Sequence, residues 1–67
     1  MSRAVPIVQS WRVRYYNGGT LLACVTVMAP NRRFARWNAR DQLMRAGTWL
    51  AVWRAATRDT VALAPRD

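Results

Sequence analysis

The sequence predicts an α+β fold in which one helix packs on one face of a small antiparallel sheet, with the element order β-β-α-β-β. Three observations support this prediction: two segments of strand-like alternation flank a glycine turn, a segment rich in helix formers follows, and aromatic and β-branched residues near the end flank a polar turn. A chain of 67 residues that is 52% hydrophobic has the composition of a domain with its own core. We therefore expect a single domain over residues 1–67.

The first predicted element is a β-hairpin over residues 7–28, preceded by a flexible arm over residues 1–6. Its turn signal is the Asn-Gly-Gly sequence at residues 17–19, which we expect to form a three-residue loop with the last glycine in the left-handed region. In that register Tyr15 pairs with Leu21, and one face of the hairpin is wholly apolar. A two-residue turn would place arginines on the apolar side, where burying charge is unfavourable. The opposite face then carries Arg12, Arg14, Tyr16, Leu22, Cys24 and Thr26.

Residues 31–46 are expected to form the helix. Asn31 can cap its first turn, its interior contains no glycine or proline, and Gly47 is well placed as a left-handed stop. A helical projection places small residues on one stripe, which allows the helix to approach the sheet closely. The stripe consists of Ala35, Ala39, Leu43 and Ala46.

Residues 48–64 are predicted to form a second hairpin, although the first half of this segment has two interpretations. It matches helical spacing through Trp49, Val52, Trp53 and Ala56, and it also has the aromatic and β-branched content of a strand. The glycine stop before it and the polar turn at residues 57–60 favour the strand. On this interpretation Asp59 is a turn residue.

The charge of the chain indicates the class of its partner. Eleven arginines, no lysine and only three acidic residues give a formal charge of +8. Guanidinium groups bind phosphate in a bidentate geometry and stack on bases. GC-rich coding explains a preference for arginine over lysine, but it does not explain the imbalance between basic and acidic residues. So high a charge on a small domain favours a polyanionic partner, DNA or RNA.

The residue types needed for catalysis or cofactor binding are scarce. The chain has no histidine and no glutamate, and its acids are Asp41, Asp59 and Asp67. No nucleophile–base pair, metal-ligand set or phosphate-binding glycine loop is visible. We therefore expect a protein that is not an enzyme and has no cofactor, with Asp41 in an ion pair with Arg45.

Two features predict a soluble cytoplasmic protein with no membrane partner. The single cysteine, Cys24, cannot form an internal disulfide, which is typical of intracellular proteins, and we expect it to be a half-buried strand residue. The apolar run over residues 21–29 is too short to span a bilayer, and residues 1–6 lack the apolar core of a signal peptide.

An arginine-rich ridge on the predicted helix is the strongest candidate binding surface. Guanidinium groups three, four and seven residues apart can follow a phosphate backbone, and an exposed indole can stack on a base or support the arginines through cation–π contact. The alternative is a helix face that is only solvated. Because like charges repel and Asp41 is the single acid among these arginines, that alternative is less favoured. The candidate residues are Arg32, Arg33, Arg36, Trp37 and Arg40, with Arg45 further along.

The open face of the predicted sheet is a second candidate. Arginine and aromatic residues alternate there, as they do on sheets that bind single-stranded nucleic acids, although no ribonucleoprotein motif is present. Arg12, Arg14 and Tyr16 would extend the helix ridge if a partner wraps the sheet edge. Trp49 and Trp53 would join this face, or else belong to the core or to a contact with another copy of the chain.

Two other functions fit the same composition. A small domain rich in tryptophan and arginine, which are enriched in interface hot spots, suits a protein-binding inhibitor or adaptor. In its size and in its order of a hairpin, an alanine-rich helix and further strands, the chain is similar to some phage-encoded anti-CRISPR proteins, and this resemblance implies a protein target in a host complex. The second alternative is a genome-coating protein that self-associates, for example as a homodimer, through an unpaired sheet edge.

Overall fold

A computed structural model describes residues 7–65 and has an α+β fold, which confirms the predicted class. Three antiparallel strands form one sheet in the order β2-β1-β3, so β1 is the central strand. Both helices pack on one face of the sheet. Along the chain the elements are β1 (Gln9–Asn17), β2 (Thr20–Ala29), α1 (Arg32–Arg45), α2 (Trp49–Ala55) and β3 (Arg58–Leu63). The predicted arm over residues 1–6 lies outside the described residues.

The turn between β1 and β2 is tighter than predicted. Asn17 pairs with Thr20, so the loop consists of Gly18 and Gly19 alone. Of these two glycines only Gly18 has a positive φ, 58°. A positive φ at the first loop position is the type II′ arrangement, which matches the twist of the flanking strands. The predicted three-residue loop with Gly19 in the left-handed region is therefore wrong.

A β-bulge on β2 sets the register of the hairpin. Tyr16 lies opposite Leu21 and Tyr15 lies opposite Ala23, so Leu22 is the extra residue on β2. The predicted partner of Tyr15 was Leu21, and pairs beyond the bulge are displaced by two positions from the predicted register. Because the displacement is even, each β1 residue keeps the face that its alternation predicts.

The core lies between the helices and the face of β1 that carries Trp11, Val13 and Tyr15, as predicted. The indole Nε1 of Trp11 donates a hydrogen bond to the carbonyl oxygen of Ala29 at 2.9 Å, which gives the one polar atom of this side chain a partner in the interior. The buried residues are Trp11, Val13, Tyr15, Val25, Val27, Ala29, Ala35, Ala39, Leu43 and Val61.

Helix α1 begins and ends at the predicted signals. The side chain of Asn31 accepts a hydrogen bond from the Phe34 amide at 3.0 Å, which caps the first turn. Gly47 has a φ of 79°. The amides of Gly47 and of Thr48 donate to carbonyl oxygens in the last turn, which is the pattern of a Schellman motif.

The stripe of small residues on α1 rests on the sheet. Ala35 and Ala39 are completely buried, and Leu43 is buried beside them. Because neither alanine extends beyond its Cβ, the helix backbone lies close to the strands. Ala46, which was predicted in the same stripe, is exposed at the carboxyl end of the helix.

The predicted second hairpin is wrong, because its first half forms α2 and only β3 is a strand. The observed element order is therefore β-β-α-α-β. Trp49, Val52 and Ala56 pack against the core at helical spacing. As a helix this segment brings Trp49 over Tyr15, with ring centroids 5.8 Å apart. A strand beside β3 would leave that part of the core uncovered.

Thr57 connects the start of β3 to the hairpin turn. Its amide donates to the carbonyl oxygen of Tyr16 at 2.8 Å, and its hydroxyl accepts from the Gly18 amide at 2.9 Å. Asp59 follows within β3 and lies opposite Tyr15, on the face of the sheet that the helices cover. The predicted placement of Asp59 in a turn is therefore wrong.

Candidate nucleic-acid interface

The structure divides the predicted binding residues between the two sides of the sheet. Five of them lie along α1, and we call this side the helical surface. The other three lie on β1 at positions that alternate with the buried residues, on the side that no helix covers, which we call the open face. The helical surface carries Arg32, Arg33, Arg36, Trp37 and Arg40, and the open face carries Arg12, Arg14 and Tyr16.

A groove runs between α1 and α2 on the helical surface, with a volume of about 360 Å³. Helix α1 forms one wall and α2 forms the other, while β1 and β3 supply the floor. The walls contain Arg33, Arg36, Trp37 and Arg40 from α1 and Trp49 and Trp53 from α2, and the floor contains Tyr15 and Asp59. Trp49 and Trp53 therefore do not join the open face, and the alternative prediction, that one of them belongs to the core, is correct for Trp49.

Arg40 and the aromatic side chains define the shape of the groove. The guanidinium carbon of Arg40 is 5.8 Å from the ring centroid of Trp37 and 5.5 Å from that of Trp49. These distances are within the range of cation–π contacts. Trp49 in turn meets Tyr15 edge to face, at an interplanar angle of 74°. In contrast, Trp37 is 66% exposed and Trp53 is 63% exposed.

Arg36 is held by a carboxylate on the neighbouring strand. Its Nε atom is 3.0 Å from Oδ2 of Asp59, and its Nη2 atom donates to Oδ1 at 3.2 Å. This two-point contact is the geometry in which a guanidinium also binds phosphate. Arg36, predicted as a phosphate ligand, therefore already has an anionic partner within the fold.

The other described carboxylate is also paired, since Asp41 lies 3.0 Å from Nε of Arg45, as predicted. Within residues 7–65, nine arginines face two aspartates, and each aspartate pairs with one arginine. Arg32, Arg33 and Arg40 have no carboxylate within 4.0 Å among these residues. Helix α1 thus keeps three cations that no described acid neutralises.

The open face carries a second group of cations. Arg58 on β3 lies opposite Tyr16, with its guanidinium carbon 4.5 Å from the ring centroid. Arg14 lies opposite Cys24, and interaction with that side chain raises the pKa of Arg14 above its usual range. Cys24 is exposed rather than half-buried. Arg12, Arg14 and Arg58 form no ion pair within residues 7–65.

Sequence reasoning did not assign Tyr15 or Arg58 to a binding surface, and it did not place Trp53 beside α1. Trp53 and Tyr15 line the groove, and Arg58 extends the open face. The helical spacing of residues 49–56 was the signal that could have placed Trp53 beside α1. The position of Arg58 depends on the pairing of β3 with β1, which no local pattern specifies.

The hydroxyl of Tyr15 is a buried polar group at the floor of the groove. Only 4% of Tyr15 is exposed, and its hydroxyl oxygen has no hydrogen-bond partner among the described residues. Burial raises the pKa of Tyr15, and the nearby negative charge of Asp59 adds to this effect. An unsatisfied buried hydroxyl is unfavourable, so this position favours a state in which the hydroxyl gains a partner.

No family of known proteins, no curated protein and no solved structure matches this chain. Within residues 7–65 no group of three or more potential metal-ligating side chains lies together. Neither α1 nor α2 is long and apolar enough to cross a membrane.

Proposed function

We propose that this protein binds nucleic acid, mainly through contacts between the helical surface and the phosphate backbone. The observation that carries the proposal is the row of unneutralised cations Arg32, Arg33 and Arg40 along α1, next to the exposed ring of Trp37. Guanidinium groups bind phosphate oxygens, and an exposed indole offers a face to a base.

The spacing of these cations suits a phosphate backbone. Arg33 and Arg40 are seven residues apart, which corresponds to about 10.5 Å along a helix. That distance is the axial rise of about three nucleotides on one strand, at about 3.4 Å each. The two side chains can therefore bind phosphates on the same strand.

Contacts of this kind select sequence weakly. The two amide side chains of α1, Asn38 and Gln42, do not line the groove, and Asn38 already donates from Nδ2 to the carbonyl oxygen of Met28 at 3.0 Å. Apart from Asp59, which Arg36 binds, the side chains at the groove are guanidinium groups and aromatic rings, which recognise phosphates and base faces rather than base identity. We accordingly propose weak sequence selectivity, no catalytic role and a cytoplasmic location.

A double substitution on the helical surface tests the proposal. Fluorescently labelled single- and double-stranded DNA and RNA are titrated with nuclease-treated protein at two salt concentrations. We expect R33A/R40A to weaken binding at least tenfold at low salt. The slope of log affinity against log salt should fall by about 1.8 for a duplex or about 1.4 for a single strand, the amounts expected for two lost phosphate contacts.

The matched control is R45A/R54A, which removes the same charge from positions outside the groove. It should retain most of the affinity and the salt slope. If both double variants weaken binding equally, the overall charge of the protein is responsible, and the helical surface is not the site. If the unsubstituted protein binds none of the four probes at low salt, the proposed function is wrong.

A protein-binding inhibitor or adaptor is the second candidate function. It is favoured by the large apolar side chains exposed on the helices, because monomeric proteins seldom expose many of them close together. They are Phe34, Trp37, Met44, Leu50 and Trp53. A discrete protein complex that survives high salt and nuclease treatment would support this function over nucleic-acid binding.

A genome-coating role is a third proposal, and it requires self-association. In the part of the chain that the structure describes, β2 and β3 are the outer strands of the sheet, and neither has a strand partner on its outer side. Such edges can pair with another chain. A dimer or larger assembly in analytical ultracentrifugation, together with binding that saturates a long DNA, would support this proposal.

A further inference from the structure

We propose that the groove between α1 and α2 binds one unpaired nucleobase together with its phosphate, so that the protein prefers single-stranded nucleic acid to duplex. This inference rests on the proposed nucleic-acid function and specifies its substrate class. The groove volume of about 360 Å³ falls within the range of small-molecule sites.

The exposed rings on the two walls point to an unstacked base. Trp37 on α1 and Trp53 on α2 both line the groove, and each exposes about two thirds of its surface. Trp49 is different, since Arg40 and Tyr15 already contact its ring. Bases in a duplex present their faces only to one another, whereas an unpaired base can stack on an indole. Each such contact changes affinity about 5- to 150-fold.

The cations beside the rings suit the phosphates of the bound strand, and Arg36, which lies between Arg33 and Arg40 on α1, is placed for the phosphate of the stacked nucleotide. Arg33 and Arg40 line the groove and have no carboxylate partner within residues 7–65. Arg36 lines it too, with its two-point contact to Asp59. Because a carboxylate and a phosphate bind the guanidinium fork in the same way, Asp59 occupies the position that a phosphate would take on Arg36.

Tyr15 provides the second, independent observation. Its hydroxyl is buried without a partner in the described part of the chain, and Asp59 is its cross-strand neighbour on the same face. When a phosphate takes the guanidinium of Arg36, the released carboxylate of Asp59 can accept a hydrogen bond from the Tyr15 hydroxyl. The exchange satisfies a polar group that lacks a partner in the free protein, which favours the bound state.

The test compares a labelled twelve-nucleotide oligothymidylate with a labelled hairpin duplex of similar charge, by fluorescence anisotropy at two salt concentrations. The intact protein should bind the single strand at least tenfold more tightly. W37A/W53A should weaken single-strand binding at least tenfold, with little change in duplex affinity or in the salt slope. The matched control F34A/L50A removes two exposed apolar side chains outside the groove and should keep the preference.

Equal affinity of the intact protein for both probes would overturn the inference and leave the phosphate-binding function in place. So would a loss in F34A/L50A as large as that in W37A/W53A. Absence of binding to both probes would overturn the proposed function as well.

The variant Y15F tests the exchange at Asp59 separately from stacking. Removing a hydroxyl that has no partner in the free state should leave the melting temperature unchanged or raise it. Single-strand affinity should nevertheless fall several-fold, since the released Asp59 carboxylate loses its donor. An affinity equal to that of the intact protein would show that Tyr15 takes no part in binding. Because Y15F is expected to fold and leaves Trp37 and Trp53 intact, it tests the exchange at Asp59 independently of the tryptophan variants.

Discussion

The helical surface and the open face are both basic, but they differ in the shape and in the exposed aromatic rings that a ligand would meet. Arg32, Arg33 and Arg40 on α1 and Arg12, Arg14 and Arg58 on the open face have no acidic partner among residues 7–65. On the helical surface Arg33 and Arg40 border a groove with two exposed indole rings, whereas the open face is a sheet surface whose aromatic ring, Tyr16, is covered by Arg58. Both sides therefore carry free positive charge but differ in shape, and shape is what distinguishes base capture from general attraction to polyanions.

The largest expected effect comes from reversing charge on each side of the sheet in turn. R33E/R40E should reduce nucleic-acid affinity roughly 100-fold or more, because it replaces two charge-assisted contacts with repulsion at the groove. R12E/R14E changes the same amount of charge on the open face, and we expect a reduction of less than about tenfold. Anisotropy titrations at a single low salt concentration compare the two variants. If the open-face variant loses more affinity, the roles of the two surfaces are reversed.

Packing under the two surfaces provides the next comparison. Ala39→Leu inserts a larger side chain at a completely buried position, where α1 packs on the sheet. We expect this overpacking to destabilise the fold by about 1–3 kcal/mol. Ala62→Leu places the same change on an exposed position of β3, on the side without helices, and should alter the free energy of unfolding by less than about 0.5 kcal/mol. Urea denaturation measures both values. Equal stability of the two variants would contradict the close approach of α1 to the sheet.

Burial of the Tyr15 phenol beneath the groove predicts a dependence of stability on pH that the arginines of both surfaces do not share. The raised pKa of Tyr15 means that the folded state prefers its neutral phenol, owing first to burial and then to Asp59. This contribution to stability is complete below about pH 10, the usual pKa of tyrosine, and is lost as the pH rises through the raised value. Melting temperatures between about pH 8 and pH 11 should therefore fall less steeply for Y15F than for the intact protein.

The smallest expected effect concerns the ion pair that joins α1 to β3. Arg36 and Asp59 are both partly exposed, with side chains 57% and 30% accessible, so solvent screens their attraction. A double-mutant cycle with R36A and D59A should give a coupling of about 0.2–1 kcal/mol in the free energy of unfolding. A coupling energy well above this range would mean that the ion pair holds the groove rigid, and a phosphate would then not readily replace Asp59 on Arg36.

Local signals predicted much of the fold. The glycine turn between β1 and β2, the capping side chain of Asn31 and the stop at Gly47 act within a few residues, and each lies where the sequence indicates. The register of the hairpin failed because a bulge at Leu22 leaves no clear pattern in the sequence.

Helix α2 could not be decided from its own residues. It has only seven residues, and Trp49, Val52 and Trp53 fit both a short amphipathic helix and a strand. What decides between them is the need to cover the core near Tyr15, a contact with a residue far away in the chain. Intrinsic preference is weak in so short an element, so tertiary packing determines its conformation.

The difference between local signals and contacts with distant residues also explains which parts of the candidate site the sequence predicts. The arginines of α1 follow directly from a helical projection, and the structure places all of them on that helix. The groove requires α2 beside α1, so the residues around Trp53 leave open on which side of the sheet it lies. The contact between Arg36 and Asp59 requires the pairing of β3 with β1 and had no counterpart in the sequence pattern.

The unequal burial of the tryptophans has a spectroscopic consequence. Trp11 is 8% exposed and its indole nitrogen is bonded to Ala29, whereas Trp37 and Trp53 are largely accessible to solvent. The intrinsic emission of the protein should therefore contain a short-wavelength component from Trp11 and a long-wavelength component that acrylamide quenches readily. The first component reports unfolding of the core and the second reports occupancy of the groove, so one unlabelled sample can separate loss of structure from loss of binding.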